Sequence, residues 1–326
     1  MRIVLLTGPG GDAQGWGDMK VTDSMREALE SLGHPARIAY VSEEAEFFRL
    51  LERRDFDIVW SALYHITPNE AFIGRNAAGT WVADVMDERR IPYIGSDSRT
   101  MRAMIDKFET HEILAAAGVA VPAHVLLRPG DDASAVTFPA FVKPMCESRS
   151  VGISDESVVH DEAELRRRVA FIGKEFDEPA LVEEFLPGDE YTALVLGNGR
   201  TRECLPGLVT VEETHYHRYR ILRSDLRGVG LTRISLAGAR TEEARAICDA
   251  AAEAMGCLDH VRIDMRVDRA GRLRIIEVNG IPGLKPHKSW APQIYTLYHG
   301  SPEGEEEDYR RLIGAIAEAA GRRYGL

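Results

Sequence analysis

Acidic and amide side chains cluster on two consecutive predicted strands near the C-terminus. Residues 261–267 and 273–279 alternate in polarity, and the turn residues 268–271 between them predict a hairpin. Because strand side chains alternate between faces, one face carries Arg262, Asp264, Glu277 and Asn279. Carboxylate and amide oxygens are ligands that suit Mg²⁺. The pattern therefore predicts a magnesium site, and the alternative is a surface strand with ordinary salt bridges.

The expected register of this hairpin follows from its turn. With Val267 opposite Arg272, Arg262 lies opposite Glu277, and Asp264 lies opposite Ile275. A bulge at Gly271 would shift this pairing. The other face is apolar and is expected to be buried: it comprises Val261, Ile263, Met265, Ile276 and Val278.

A lysine on a predicted strand precedes a turn of small residues. The strand 140–143 ends in Lys143, and Ser148 to Gly152 then double back. Such a turn can present backbone N–H groups to a phosphate chain, with the lysine as a point charge. The glycine spacing fits neither a Walker A loop nor a dinucleotide fingerprint. A plain hairpin is the alternative.

Two further segments could serve a nucleotide or an acyl group. The stretch from Glu183 to Glu190 leaves a predicted strand, and it could offer backbone hydrogen bonds to a base and a carboxylate to a ribose. The alternative is an acidic loop. Gly280 to Gly283 directly follow the hairpin, and glycine there permits close backbone approach and an N–H donor for an oxyanion.

Composition excludes several other classes. The net charge of −12 argues against nucleic acid or an anionic membrane as a partner. The four cysteines are scattered, and the apolar run at residues 3–6 is too short for a signal peptide, which predicts a cytoplasmic protein. His215 and His217 could bind zinc, but the sequence offers no evident third ligand.

The elements that must position these residues fall into three groups. Strands at 3–6, 37–41 and 57–61, with a helix at 23–32, predict an N-terminal parallel sheet. A helical stretch at 98–118 precedes strands at 125–127, 140–143 and 180–183, with a helix at 161–171. The last third contains strands at 191–197, 261–267 and 273–279 and helices at 242–255 and 309–323.

Taken together and in this order, these segments resemble the ATP-grasp superfamily and, within it, the D-alanine–D-alanine ligases. The resemblance rests on Pro92 to Ser96, Asp106-Lys107, Val142 to Pro144, Ser150 to Gly152, Glu183 to Glu190, Arg262 to Asp264 and Glu277 to Gly283. It implies a three-domain α/β fold with an N-terminal parallel-sheet domain and with ATP between two antiparallel sheets. The expected domains are residues 1–97, 98–184 and 185–326.

The resemblance also implies roles for the matching residues. ATP would contact Lys107, Lys143, Glu183, Glu184, Leu186 and Glu190. Two Mg²⁺ ions, for which Mn²⁺ is an alternative, would bind Asp264, Glu277 and Asn279. The oxyanion would be stabilised by Arg262 and the N–H of Gly283, and Ser150 would belong to a closing loop. A carboxylate would attack the γ-phosphate, and an amine would then displace phosphate from the acyl phosphate.

The substrate side departs from the pattern of the family. The residues expected there are His65, Asp18, Arg149, Tyr216, Arg220, Lys288 and Ser289, with Asp12 as a further candidate for an ammonium anchor. Arginine and lysine at these places indicate an extra anionic group on a substrate or a replacement phosphate contact. The alternative is that these residues lie on the solvent-exposed rim of the site and have diverged in sequence without a functional reason.

We therefore expect a ligase that forms an amide other than D-alanyl-D-alanine, by intermolecular or intramolecular closure. The alternatives are the conventional cell-wall ligase, a nucleotide-binding regulator without turnover, and phosphoryl transfer without ligation. The partners would be a small-molecule carboxylate and amine, and the resemblance is compatible with a homodimer.

Overall fold

The N-terminal part of the chain forms a parallel sheet. The computed structural model describes residues 1–66, 79–226 and 230–326. Its first elements are β1 (Ile3–Thr7), α1 (Gly11–Gln14), α2 (Met19–Ser31), β2 (Ala36–Tyr40), α3 (Glu44–Arg53), β3 (Ile58–Ser61), β4 (His65–Ile66), β5 (Thr80–Trp81), α4 (Val82–Arg89) and β6 (Tyr93–Ile94). The sheet has the order β2-β1-β3-β6, and all its pairs are parallel, as predicted.

Helix boundaries in this part follow from capping. The carboxylate of Asp18 accepts the backbone N–H groups of Lys20 and Val21, so α2 begins four residues before the predicted start at residue 23. Helix α3 was not predicted, although its buried residues Phe47, Leu50 and Leu51 have helical spacing.

A second sheet occupies the central part. Its elements are α5 (Ser98–Ile105), α6 (Lys107–Ala116), β7 (His124–Leu127), β8 (Ala140–Pro144), β9 (Val158–Val159), α7 (Glu162–Phe176) and β10 (Ala180–Glu184). The sheet is antiparallel in the order β7-β10-β8-β9, and with α7 it encloses its own hydrophobic core. The single helix predicted at 98–118 divides at Asp106, whose carboxylate accepts the N–H of Glu109 and caps α6.

The C-terminal part contributes a third sheet. Its elements are β11 (Glu190–Leu196), β12 (Glu203–Val211), β13 (Thr232–Leu236), α8 (Thr241–Met255), β14 (His260–Val267), β15 (Leu273–Asn279), α9 (Trp290–His299) and α10 (Glu305–Tyr324). The antiparallel order is β13-β12-β11-β14-β15, so the expectation of two antiparallel sheets is confirmed. Strands β12 and β13 and helix α9 were not predicted. This sheet shares one hydrophobic core with the N-terminal sheet.

The predicted hairpin register was wrong. Val267 pairs with Leu273, and a bulge between Asp264 and Met265 then places Asp264 opposite Glu277 and Arg262 opposite Asn279. The physical reason is a longer turn, in which the Asp268 carboxylate accepts the N–H groups of both Ala270 and Arg272. The four polar residues still share a face, because directly paired residues always do. The bulge turns Ile276 toward the polar side, and Ile275 takes the buried position.

The expected domain boundaries at 97/98 and 184/185 stay a prediction, which the separate core of the central sheet supports. All four cysteines are free thiols. Within the described ranges, no helix has both the length and the apolar character needed to cross a membrane.

Candidate active site

Asp264 and Glu277 form a directly opposed carboxylate pair at the centre of the site. The Asp264 carboxylate accepts hydrogen bonds from Arg262 Nε at 2.9 Å and Nη2 at 2.8 Å. Thr192 on the neighbouring strand donates its hydroxyl to the same carboxylate at 2.7 Å. Asp264 is almost fully buried, so it needs these partners to remain ionised.

Glu277 pairs with a buried lysine from the other side of the cleft. Lys107 Nζ lies 3.2 Å from Glu277 Oε1, and it also donates to the backbone carbonyl of Glu147. Burial is the largest single effect and lowers the pKa of Lys107, but the charge and hydrogen bond of Glu277, together with the smaller effects of Cys146 and Glu178, outweigh it and raise the pKa. Lys107 is therefore a fixed cation at the first residue of α6.

The third predicted metal ligand is an amide. Asn279 lies opposite Arg262, and its Oδ1 accepts the N–H of Ile281 at 3.1 Å. No three His, Cys, Asp or Glu side chains gather at a metal-binding distance in the described ranges, so the site reaches three donors only with this amide. Two carboxylates and an amide oxygen fit Mg²⁺, which takes its remaining ligands from water and phosphate. Directly opposed like charges also call for a cation between them.

A cleft of about 750 Å³ lies between the central and C-terminal sheets. Lys143 projects from β8 into it, with Nζ 2.9 Å from Glu183 Oε1. Its apolar lining could sandwich a flat ring: it includes Phe141, Ile153, Leu186, Leu222 and Ile276. The cleft thus combines apolar surface with two buried cations, Lys107 and Lys143.

The predicted base and ribose contacts lie along one edge of this cleft. Glu183, Glu184, Leu186 and Glu190 all line it. The backbone N–H of Glu184 donates to Ala123, so that group serves the sheet rather than a ligand. Glu190 pairs with Arg266 at 3.3 Å. Arg266 was not predicted as a site residue, although it continues the alternation of Arg262 and Asp264 along β14.

A second residue that was not predicted, His111, contacts the buried carboxylate of Glu183. His111 Nδ1 lies 3.4 Å from Glu183 Oε1, and both side chains are buried. Burial, followed by the charge of Lys143, holds the pKa of His111 well below its usual range. Burial also raises the pKa of Glu183, and the charge of Lys143 opposes this effect. His111 therefore acts as a neutral neighbour and Lys143 as the cation of the pair.

The loop after β8 is tightly shaped. Arg149 and Ser150 both adopt positive φ angles of 56° and 59°, so this turn holds two residues in left-handed conformations. Ser150 faces the nucleotide-sized cleft, and Arg149 Nη1 donates to the backbone carbonyl of Asp12 at 2.9 Å. Glu178 accepts the N–H of Cys146 at 3.2 Å and anchors the start of the loop.

A second cleft adjoins the first, and both are lined by Lys107 and Glu277. Its walls come from the loop after β1, the loop after β8 and the segment between β15 and α9. Of the predicted substrate residues, the cleft is lined by Asp18, Arg149, Lys288 and Ser289, together with Asp12. Asp18 is also the cap of α2, so one of its oxygens is already used.

Three predicted substrate residues do not line this cleft. His65 is fully buried against Trp81, and the side chain of Gln14 holds its backbone. Tyr216 and Arg220 belong to a segment that crosses to the central part of the chain. Tyr219 of this segment forms a hydrogen bond with His160 of the central part at 2.6 Å. Arg220 forms a salt bridge with Glu213, seven residues before it, at 2.8 Å. The substrate roles of these three residues therefore stay predictions that the position of the cleft does not support, because local sequence does not show where a connecting segment packs.

Gly283 lies where a side chain would not fit. A Cβ atom there would come within 2.8 Å of Ser289 Oγ. In the described ranges the N–H of Gly283 donates to no protein acceptor, which leaves it available to a ligand. Tyr64, which lines the same cleft, was not predicted, and its hydroxyl accepts the N–H of Ile281 at 3.1 Å. No short sequence pattern pointed to Tyr64.

Two antiparallel sheets that enclose a cleft lined by buried lysines and carboxylates define an ATP-grasp protein. A family model described as the D-ala D-ala ligase C-terminus matches residues 113–296. The D-alanine–D-alanine ligase of Chromohalobacter salexigens is 31% identical over 72% of this chain and 74% of its own length. The protein y4sG of Sinorhizobium fredii is 27% identical over 95% of this chain and 90% of its own.

A solved structure extends the likeness to the whole fold. The D-alanine–D-alanine ligase of Bacillus anthracis, in complex with ATP, superposes with a TM-score of 0.70 at 20% identity over 99% of this chain and 98% of that one. The chain belongs to the D-alanine–D-alanine ligase family of ATP-grasp proteins. It is an ATP-binding, ADP-forming ligase, and not the regulator without turnover that the sequence left open.

Proposed function

We propose that the protein joins the carboxylate of one amino acid to the amine of a second amino acid or related molecule, and that its product is not D-alanyl-D-alanine. The observation that carries this proposal is the junction of the two clefts. Lys107 and Glu277 line both, so a phosphate chain in the first cleft would meet a carboxylate held in the second. Its relatives named as D-alanine–D-alanine ligases support amino-acid substrates.

The nucleotide is proposed to lie with its base against the apolar end of the first cleft. Leu186 would offer its backbone N–H to the base, since no protein acceptor in the described ranges uses it. Glu190 would bind the ribose, and Lys107 and Lys143 would bind the phosphates. Their buried ammonium groups are held by Glu277 and Glu183 respectively, so they are pre-organised for that task.

Mg²⁺ is proposed to bind Asp264, Glu277 and Asn279. When bound, the ions would neutralise the charge that develops on the phosphates. Arg262 and Lys107 neutralise the two carboxylates in this structure. Asp264 Oδ1 already accepts hydrogen bonds from both Arg262 and Thr192, so a metal would bind Asp264 through Oδ2.

The reaction is proposed to proceed in two steps. A carboxylate oxygen of the first substrate forms a bond to the γ-phosphorus while the bond to ADP breaks. The amine of the second substrate then attacks the acyl carbon, loses a proton, and expels phosphate. Arg262 and the N–H of Gly283 would stabilise the oxyanion between attack and expulsion. The loop that carries Ser150 would exclude water, which otherwise hydrolyses an acyl phosphate.

The substrate cleft supports a product other than D-alanyl-D-alanine. Neither aspartate of the first loop is a simple ammonium anchor, because Asp12 contacts Arg149 at 3.4 Å and Asp18 caps a helix. His65 lies outside the cleft, and Lys288 lies in the cleft at a place where the resemblance implies a small polar residue.

The test is a screen for ADP release with pairs of amino acids, followed by mass spectrometry of the products. We expect at least one pair to release ADP and form an amide in equal amounts, and D-alanine alone to be a poor substrate. ADP release that no added amino acid stimulates would contradict the ligase assignment.

The second candidate is a true D-alanine–D-alanine ligase. Arg262 and Gly283 both line the second cleft, where they would stabilise the oxyanion that both reactions share, and the named relatives favour this activity. Efficient formation of D-alanyl-D-alanine in the same screen would establish this candidate instead.

A further inference from the structure

Two lysines on the wall of the second cleft have no acidic partner among the residues that the structure describes. Lys285 and Lys288 both line this cleft and are exposed to it. Across residues 1–66, 79–226 and 230–326, neither ammonium group forms a salt bridge with a carboxylate. The pair therefore presents positive charge that no carboxylate of the described residues neutralises.

The fold holds these lysines in one tight turn. The N–H groups of Lys288 and Ser289 donate to the carbonyl of Lys285 at 3.2 Å and 3.0 Å. Ser289 Oγ accepts the N–H of Lys285 at 3.0 Å and closes the turn from the other side. The preceding residue, Leu284, is fully buried and bonds to the backbone of Trp16. The backbone that carries both lysine side chains is therefore held by hydrogen bonds.

The other cations of the cleft are already paired. Lys107 pairs with Glu277, Arg149 with Asp12, and Arg262 with Asp264. One oxygen of Asp18 is used to cap α2. An anionic ligand in this cleft would therefore find its uncommitted positive charge at the turn that carries Lys285 and Lys288.

The sequence left two uses open for the extra basic residues: binding an additional anionic group of a substrate, or replacing a phosphate contact. The position of the two lysines decides between them. Lys285 and Lys288 line the second cleft and not the nucleotide-sized one, where Lys107 and Lys143 face the phosphate end. A replacement phosphate contact would require them in the first cleft. The extra cations therefore serve the amino-acid side.

We propose that the acceptor, the substrate whose amine attacks, is an amino acid with a second carboxylate. This inference rests on the proposed function. The donor must lie toward Lys107, because its carboxylate has to reach the phosphate. The turn follows Gly283 directly, so the acceptor lies beside Lys285 and Lys288, which bind its two carboxylates.

The test compares acceptors that differ only in charge. Aspartate is paired with asparagine and glutamate with glutamine, in both enantiomers, and each is offered with a panel of donors while ADP and product are measured. The variants are Lys285→Gln, Lys288→Gln and their combination. The matched control is Lys174→Gln, an exposed lysine on α7 that is 83% accessible. A thermal-shift titration of the same acceptors, with Mg²⁺ and a non-hydrolysable ATP analogue present, reads binding without turnover.

We expect kcat/KM to favour the acidic acceptor by about tenfold or more, because charge-assisted hydrogen bonds are roughly twice as strong as neutral ones. The double variant should lose most of this preference and most of the thermal shift, while the KM for ATP and the control stay unchanged. Two results would overturn the inference and leave the ligase assignment intact. One is an equal kcat/KM for neutral and acidic acceptors in the wild type, and the other is an equal loss of kcat/KM for both kinds of acceptor in the double variant. If no pair is ligated, the proposed function fails, and an unchanged thermal shift in the double variant would also overturn the inference.

Discussion

Asp264 and Glu277 face each other across β14 and β15, and each carboxylate is held by a different cation. Arg262 binds Asp264 through two hydrogen bonds from its own strand, whereas Lys107 reaches Glu277 from helix α6. The two ion pairs link the hairpin to the helix at the junction of the clefts. Any divalent cation that binds there must share both carboxylates with these partners.

Removing the charge of Glu277 tests the metal role of the pair. Glu277→Gln should lower ADP-forming turnover at least about a hundredfold, because an amide binds Mg²⁺ more weakly than a carboxylate does. Steady-state kinetics against Mg²⁺ concentration measure the effect. Glu242→Gln, an exposed change on α8, is the control. Wild-type turnover at ordinary Mg²⁺ would remove Glu277 from the metal site.

Arg262 should act on amide formation more than on nucleotide binding. Arg262→Lys keeps the charge beside buried Asp264 but loses the planar fork, so we expect kcat to fall by about a hundredfold or more, as for a lost oxyanion donor. The affinity for ATP should change little. A competition assay with an ATP analogue separates the two effects, and an unchanged kcat would exclude the oxyanion role.

Gly283 should be intolerant of even one methyl group. Gly283→Ala places a Cβ atom within 2.8 Å of Ser289 Oγ and should displace the N–H from the oxyanion position. A double-mutant cycle with Ser289→Gly isolates the clash. The alanine should cost much less kcat in the Ser289→Gly background than in the wild type. Equal losses in both backgrounds would show that the clash is not the cause.

Stability should depend on pH through Glu178. Burial raises its pKa from 4.5 to about 7, while the N–H of Cys146 opposes the shift. The folded pKa is the higher one, so the stability that Glu178 contributes is complete below pH 4.5 and is lost as the pH rises through about 7. Glu178→Gln should therefore gain stability over the wild type on going from pH 5 to pH 8, by at most about 3 kcal/mol.

Urea unfolding at the two pH values measures this difference. Glu175→Gln, an exposed change at the end of α7, serves as the control and should show no such gain. If the Glu178→Gln and wild-type curves stay equally far apart at both pH values, the buried charge does not limit stability.

Strand alternation was enough to predict which residues share the polar face of the hairpin, but not their pairing. The pattern in 261–267 and 273–279 placed Arg262, Asp264, Glu277 and Asn279 together, and the structure agrees. Their register depended on how the Asp268 carboxylate shapes the turn and on a bulge in mid-strand. Both are tertiary details that the alternation does not encode.

The substrate cleft was much harder to predict than the nucleotide cleft. Its walls come from segments far apart in sequence, such as Trp16 and Tyr64 beside Ser289, and no periodic pattern connects them. The same limit explains why Tyr216 and Arg220 lie outside the second cleft: their segment packs against the central sheet, where Tyr219 contacts His160 and Phe185. Family resemblance transfers positions along the chain, whereas packing decides which side chains meet.

The most direct measurement is a crystal structure of the full chain with Mg²⁺ and a non-hydrolysable ATP analogue. We expect the triphosphate to lie between Lys107 and Lys143, with divalent cations between it and the oxygens of Asp264, Glu277 and Asn279. A triphosphate bound elsewhere, or carboxylates that stay paired with Arg262 and Lys107 and bind no cation while the analogue is bound, would contradict this account.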